Sequence, residues 1–412
     1  MAIHGDKDLI IQVPLTLINI MTMVRTTYYV EADAPIAKVA KEIAAEQSTG
    51  TWTEVAAEKE VHEKLGAHVV SAEGNTVVID FPVEIFEPDN VPQILSVVAG
   101  NLFGLGGLKA CRLMDVDFGP LTKYYNGPEF GIEEVRKILG VYDRPLVGTI
   151  IKPKVGLSPK RTAEVAEQAA LGGLDLIKDD ETLTDQKFCP LEERLTMVMD
   201  RLHKVEDRIG KPCFYAVNVT CGADMIVERA ERAVELGANM VMVDILTAGF
   251  SAVQALTDEK IGVPIHIHRT MHGALTRGKY GIAMPVISKL TRMCGGTNLH
   301  TGTYAGKMER NVCEIDASRD ILRKPWAGYK RVWPVSSGGL YPQKVRENLD
   351  CYGIDVILQA GGGIHGHPEG TTVGVKAMFQ AVEAWQQQKT LEEYAKTHKE
   401  LAGALKQWGP SQ

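Results

Sequence analysis

Two hydrophobic rhythms divide the chain. From Arg25 to about Phe118 the apolar positions spell strand, helix, two strands, helix, strand. RTTYYVEA is β-branched and aromatic, whereas PIAKVAKEIAAE sets Ile36, Val39, Ala40 and Ile43 at helical spacings of three and four. HVVSAEGNTVVIDFPV predicts a hairpin that turns at Gly74 and Asn75, NVPQILSVVAGNL a second helix, and KACRLMDVDF a closing strand. That order is the split βαβ, ferredoxin-like plan and predicts a small α+β domain over residues 25–125.

After GPEFG the rhythm changes. Short branched runs alternate with amphipathic helices: PLVGTIIKPK, LDLIKDDE, PCFYAVNVT, NMVMVDI, PIHIHRT, NLHTGT, VWPVSSGG and DVILQAGGG. Continuous apolar strands are those buried on both faces, and eight βα repeats are what a (β/α)8 TIM barrel requires. The expected fold is therefore α/β, a barrel over residues 126–412 behind the smaller domain. An open doubly wound sheet is the alternative, because periodicity does not report closure. Residues 1–24 read as an N-terminal extension, of which 1–20 look like sequence upstream of a misplaced start. Gln12, Pro14 and Asn19 interrupt that stretch too often for a secretory signal or a membrane span.

The polar residues gather where the barrel runs end: Lys152 and Lys154, Lys178 to Glu181, Asn218, Asp244, His268 and Arg269, His300, Ser337 to Gly339, and Gly361 to Gly363. In a barrel these ends share the mouth where active sites are built. In LIKDDE the alternation of faces puts Lys178 and Asp180 together and Asp179 opposite, with Glu181 beyond the strand. Asp180 and Glu181 offer oxygen ligands to Mg²⁺, beside which an ammonium would be repelled. Lys178 deprotonated and joined to CO2 is a carbamate, a third anionic oxygen ligand; a plain ion-pair cluster fits the same spacing. Lys152 and Lys154 flank Pro153 either as solvated lysines or in a crowded mouth, where a lysine of depressed pKa can serve as acid or base.

In HIHRTMH, His266 lies deepest and reads as structural, and Arg269 suits a phosphate gripped bidentately. The H-x-x-x-H spacing is a weak zinc signal, since the segment begins as a strand without further soft ligands. SSGG and AGGG end the last two strands, where backbone N–H groups cradle phosphates in many barrels. Residues 302–311, GTYAGKMERN, have Gly302 and Gly306 as hinges and Lys307 near the tip, the pattern of a lid or of an ordinary loop. Together the clusters describe a magnesium site between two anion sites.

Composition narrows the classes. With 45 basic and 52 acidic residues, the chain lacks the basic footprint of a nucleic-acid binder. Seven cysteines without a C-x-x-C argue against a disulfide framework or zinc ribbon and fit a reducing cytoplasm.

From about residue 25 onward the sequence resembles the large subunit of ribulose-1,5-bisphosphate carboxylase/oxygenase, most of all the archaeal type III enzymes. GTWTEV, GNLFG, GTIIKPKVGLS, GGLDLIKDDE, HIHRTMH, LHTGTYAGK, SSGG and GGGIHGHP stand in the family's order. The resemblance implies CO2 addition to the enediolate of ribulose 1,5-bisphosphate, giving two 3-phosphoglycerates, with an O2 side reaction. It implies Mg²⁺ held by carbamylated Lys178, Asp180 and Glu181; Lys152 as the acid–base lysine with Lys154 beside it; His268 in proton transfer; and Lys307 closing over the new carboxylate. Arg269, His300 and Ser337 would hold one phosphate or the adjacent hydroxyls. Thr51, Trp52, Gly339, Gly361 and Gly362, with neighbouring Gly338, would hold the other. Glu46 and Asn101 resemble residues lent to a neighbouring subunit's barrel, so a homodimer or a higher oligomer of dimers is expected, without a small subunit, nucleic acid or membrane. The alternatives are a RuBisCO-like enolase or decarboxylase acting on a related phosphorylated keto compound, and a non-catalytic phosphosugar-binding barrel. Family members of the first kind typically lose the residues matching Lys152 or Lys307, and both are present here. Tyr304, Arg310, Tyr341 and His365 depart from the family pattern.

Overall fold

The computed structural model describes residues 22–50, 59–308 and 310–409 and divides into two compact units. The first runs to Tyr124 and takes in Lys279–Gly281; the second holds the remainder. Thr51 and Trp52, like residues 1–21, lie outside the described residues.

In the first unit, strands β1 (Met23–Ala32), β2 (His68–Glu73), β3 (Thr76–Pro82) and β4 (Leu108–Asp117) form an antiparallel sheet in the order β4-β1-β3-β2. This is the ferredoxin-like arrangement that the sequence order predicts. Helices Ile36–Glu46 and Val91–Ala99 are the expected pair, each burying one apolar face: Val39, Ala40 and Ile43 from the first, Val91, Ile94 and Val98 from the second. The hairpin turns at Gly74, whose φ of +56° needs a glycine-like backbone. Two features escape periodicity. A further helix, Lys59–Leu65, buries no residue, and a fifth strand, Tyr280–Ile282, extends the sheet beside β4 although it comes from far along the chain. In chain order that strand is β10.

The second unit is a closed barrel of eight parallel strands. They are β5 (Leu146–Ile150), β6 (Leu176–Lys178), β7 (Phe214–Asn218), β8 (Met240–Asp244), β9 (Ile265–His268), β11 (Asn298–His300), β12 (Trp333–Ser337) and β13 (Ile357–Gln359). Each falls inside one of the eight predicted runs, and β13 pairs with β5 to close the ring, which excludes the open sheet. At the strand beginnings, helix Ile132–Leu139 plugs the barrel: Ile132, Val135 and Leu139 pack with Leu146, Leu176, Phe214, Met240, Trp333 and Ile357. Arg136 of that helix lies over the Trp333 ring at 4.7 Å. Higher in the barrel, Gly148 has no room for a side chain, because a Cβ there would stand 2.2 Å from Oε1 of Gln359. Among the described residues no helix is long and apolar enough to cross a membrane.

Candidate active site

At the strand ends a cavity of about 570 Å³ opens, lined by Lys152, Lys154, Lys178, Glu181, His268, Arg269, His300, Lys307, Ser337 to Gly339, Gly361 and Gly362. Thirteen residues expected at the site from sequence thus share one space. Asp180 lies just behind it, 1% exposed, and accepts a hydrogen bond from Lys152 Nζ at 2.8 Å. Lys154 pairs with Glu181 at 3.2 Å and lies 3.8 Å from Asp180.

Strand alternation sorts the LIKDDE carboxylates as expected. Asp179 turns away into a closed network: it pairs with Arg194 at 3.1 Å, both side chains inaccessible, and accepts from Tyr215 Oη at 2.5 Å and from the Asn218 N–H at 3.0 Å. Lys178 turns inward and is 1% exposed. Its ammonium donates to the Asp179 carbonyl at 2.8 Å and faces Met242 Sδ at 3.6 Å, while the nearest carboxylate oxygen, on Glu181, is 3.8 Å away. A simple salt-bridge cluster would hold its cation more closely. Burial pushes the Lys178 amine below the ordinary lysine range, against the opposing pull of Glu181, Asp180 and Asp244. Burial would raise the Glu181 carboxyl, but Lys178 and Lys154 outweigh it and hold that group low.

On the opposite wall the imidazoles form a buried chain. His266 Nε2 stands 2.9 Å from His300 Nε2, and His300 Nδ1 stands 2.7 Å from Ser337 Oγ. His268 packs edge-on against His300, accepts the Thr270 N–H at Nδ1 and places Nε2 3.8 Å from Glu181. Burial first, then the positive charge of Lys178, holds His266 and His268 well below the usual histidine range; burial and the neighbouring imidazoles do the same for His300. His266 stays off the cavity wall, in keeping with a structural reading. Burial also brings Arg269 down to about 10. Asp244, 3.5 Å from His268, is pushed up to about 7 by burial, with Glu181 and Asp180 adding to the shift and Lys178 opposing it.

The segment carrying Lys307 folds back on the glycine turn of β12: the Lys307 N–H bonds the Gly338 carbonyl at 2.9 Å, and a Cβ on Gly339 would strike Lys307 Cγ at 2.6 Å. Tyr304 is anchored rather than mobile, since its hydroxyl bonds Asp316 at 2.5 Å and accepts from Arg319 at 3.1 Å. His365 bonds the Ile150 carbonyl at 2.9 Å, bracing the end of β5 just before Lys152. Sequence reasoning missed Gln359, Met271, Met308 and Trp408 on the cavity wall. None carries a spacing signal, and Trp408 reaches the wall only through the packing of the last helix. Glu46 and Asn101 belong to the first unit, at the end of helix Ile36–Glu46 and the start of the 3-10 turn Asn101–Gly104.

The donor set suits a hard divalent cation. Asp180 and Glu181 supply two carboxylates, and among the described residues no group of three His, Cys, Asp or Glu side chains has metal-binding geometry. Lys178, buried and held toward its neutral form, is the side chain beside them able to become a third oxygen ligand.

Fold and cavity together define a (β/α)8 barrel with a charged, glycine-flanked mouth, preceded in the chain by a ferredoxin-like domain. The sequence matches the ribulose bisphosphate carboxylase large chain, catalytic domain, over residues 131–408 and its N-terminal domain over residues 21–121. The chain belongs to the ribulose bisphosphate carboxylase large-chain family. It is 42% identical over 397 residues to the ribulose bisphosphate carboxylase of Methanocaldococcus jannaschii, covering 90% of this chain and 93% of that one. Its fold matches the octameric ribulose-1,5-bisphosphate carboxylase/oxygenase of Pyrococcus horikoshii OT3 with a TM-score of 0.89 at 38% identity, covering 94% of each chain. It also matches the dimeric archaeal enzyme of Hyperthermus butylicus, with a TM-score of 0.87 at 37% identity over 94% of this chain and 96% of that one.

Proposed function

We propose that this protein is a ribulose-bisphosphate carboxylase: it adds CO2 and water to ribulose 1,5-bisphosphate and releases two 3-phosphoglycerates, with O2 competing for the same intermediate. The observation that carries the reading is the convergence of Lys152, Lys178, Glu181, His268 and Lys307 with the glycine turns of β12 and β13 on one cavity. The Lys178 amine, held toward its neutral form, adds to CO2 and releases a proton, becoming a carbamate. With Asp180 and Glu181 it would hold Mg²⁺, which supplies the Lewis acid that favours an enediolate over its ketone.

Lys152, held by Asp180, moves a proton at the sugar carbonyl. His268, neutral and next to Glu181, transfers protons during enolisation and hydration. Arg269, His300 and Ser337 hold one phosphate or its adjacent hydroxyls; Gly339, Gly361 and Gly362, beside Gly338, receive the other through close backbone approach. Lys307, an exposed cation on the lid, pairs with the carboxylate that CO2 creates. Glu46, Thr51, Trp52 and Asn101 would come from a neighbouring copy in a homodimer or an oligomer of dimers, in the cytoplasm and without a small subunit.

Incubation with Mg²⁺, labelled bicarbonate and ribulose 1,5-bisphosphate is expected to place the label in 3-phosphoglycerate. Exchange of the sugar C3 proton without incorporated label would assign the protein to the RuBisCO-like enolases instead. Ligand binding with neither outcome would leave a phosphosugar-binding barrel.

A further inference from the structure

The last described helix, Lys399–Trp408, ends at the active-site cavity, and Trp408 is part of its wall. Its position is fixed by several contacts. Leu401 and Ala404 are fully buried, the Leu401 N–H bonds Gln380 Oε1 at 2.8 Å, and His367 Nε2 bonds the Glu400 carbonyl at 2.9 Å. One residue past the indole, the Gly409 carbonyl accepts from Gln343 Nε2 at 2.5 Å.

The ring lies against the glycine-rich segment that ends β13. Its Cζ2 is 3.5 Å from where a Cβ on Gly366 would stand, and its ring centre is 5.9 Å from that of Tyr341. Tyr341 in turn abuts Gly363, where a Cβ would meet Tyr341 Cα at 2.7 Å. Gly361 and Gly362, Tyr341 and Trp408 therefore form one continuous corner of the cavity.

An indole N–H is a hydrogen-bond donor without acceptor capacity. Trp408, half-buried on the cavity wall, makes ring contacts with Tyr341 and His367, and its N–H donates to no described residue. A fixed, unspent donor beside a glycine turn is suited to an anion that enters the cavity.

We infer that Trp408 is a phosphate-binding residue: its indole N–H donates to the phosphate seated at the Gly361–Gly362 turn, which makes the C-terminal helix part of the substrate site. The inference rests on reading that turn as a phosphate cradle. Because the indole is already oriented, little side-chain freedom is lost when the phosphate arrives.

The test compares wild type with W408F, which keeps a ring but loses the donor, and W408A. KM and kcat are measured with ribulose 1,5-bisphosphate, and orthophosphate and the bisphosphate are titrated by calorimetry and tryptophan emission. Loss of one hydrogen bond to a charged group predicts a KM raised about tenfold in W408F, with kcat nearly unchanged. The emission difference between wild type and W408F should report ligand binding. W408A should bind at least as weakly as W408F while retaining its circular dichroism spectrum. Wild-type affinity in W408F for both ligands would overturn the inference, as would weakening in W408A alone, which would leave the ring only a packing role. Orthophosphate tests the donor whether or not the five-carbon sugar is the substrate, so failure of the carboxylase reading is read separately, from the label.

Discussion

The two ends of strand β6 carry similar residues and hold them in opposite ways. At its start, Asp175 is inaccessible and fully partnered: Arg144 grips it with bonds of 2.7 and 2.9 Å, Lys211 lies 3.0 Å away, and the Val147 N–H donates at 2.8 Å. At its end, three residues on, Lys178 is just as buried but has only a carbonyl, a thioether and a distant carboxylate. Nearby Asp244 Oδ1 is buried without a hydrogen-bond partner. A saturated ion cluster at the strand beginnings holds the barrel together. An unsaturated one at the mouth leaves charge for a bound ligand to satisfy, and it is the setting in which the proposed carbamate on Lys178 would form.

That contrast is most strongly tested by exchanging the two kinds of loss. Lys178→Met should remove carboxylation by more than about a thousandfold, since it deletes a proposed ligand, yet leave stability unchanged or slightly raised because a poorly paired buried amine is gone. Asp175→Ala should do the reverse, costing about 3 kcal/mol by stranding Arg144 and Lys211 while the folded fraction keeps its kcat. Urea unfolding together with active-site titration separates the two; a Lys178→Met protein that unfolds as early as Asp175→Ala would erase the distinction.

Lys307→Ala is expected to lower carboxylation by about a thousandfold while leaving measurable C3 proton exchange, because the proposed role of this cation follows enolisation. Equal loss of both would place Lys307 at the earlier step.

The histidine wall sharpens the comparison through pH. The unfolded chain takes up protons near the ordinary histidine value of about 6.5. In the fold, burial holds His266, His268 and His300 well below that and brings His272 down to about 4. Across this interval the unfolded state binds more protons, so stability is full above pH 6.5 and drains as the pH falls toward 4. Melting temperature against pH should show this slope, and His266→Asn should flatten it. The smallest effect belongs to Tyr304→Phe, which deletes the hydroxyl shared by Asp316 and Arg319 and should cost about 1 kcal/mol in thermal unfolding with kcat little changed.

Much of this was readable from the chain. The eight branched runs identified the barrel strands because a strand buried on both faces must be apolar throughout, and their polar ends identified the mouth because side chains there leave the core. Asp179 could be separated from Asp180 by alternation alone. Closure of the ring could not, since pairing of β13 with β5 joins residues over two hundred positions apart. The same holds for β10, a three-residue strand too short to carry a period, and for helix Lys59–Leu65, which has no buried face to signal it.

What the sequence determined by itself was the identity and order of the reactive groups, because residue type fixes which atoms can hold a metal, a proton or a phosphate. Only the tertiary structure decided their condition. It left Lys178 short of partners while saturating Asp175, held the imidazoles neutral, and carried Trp408 from the far end of the chain to the cavity wall. The physical reason is that desolvation and hydrogen bonding depend on every neighbour in space, and those neighbours come from strands and helices that no local pattern connects.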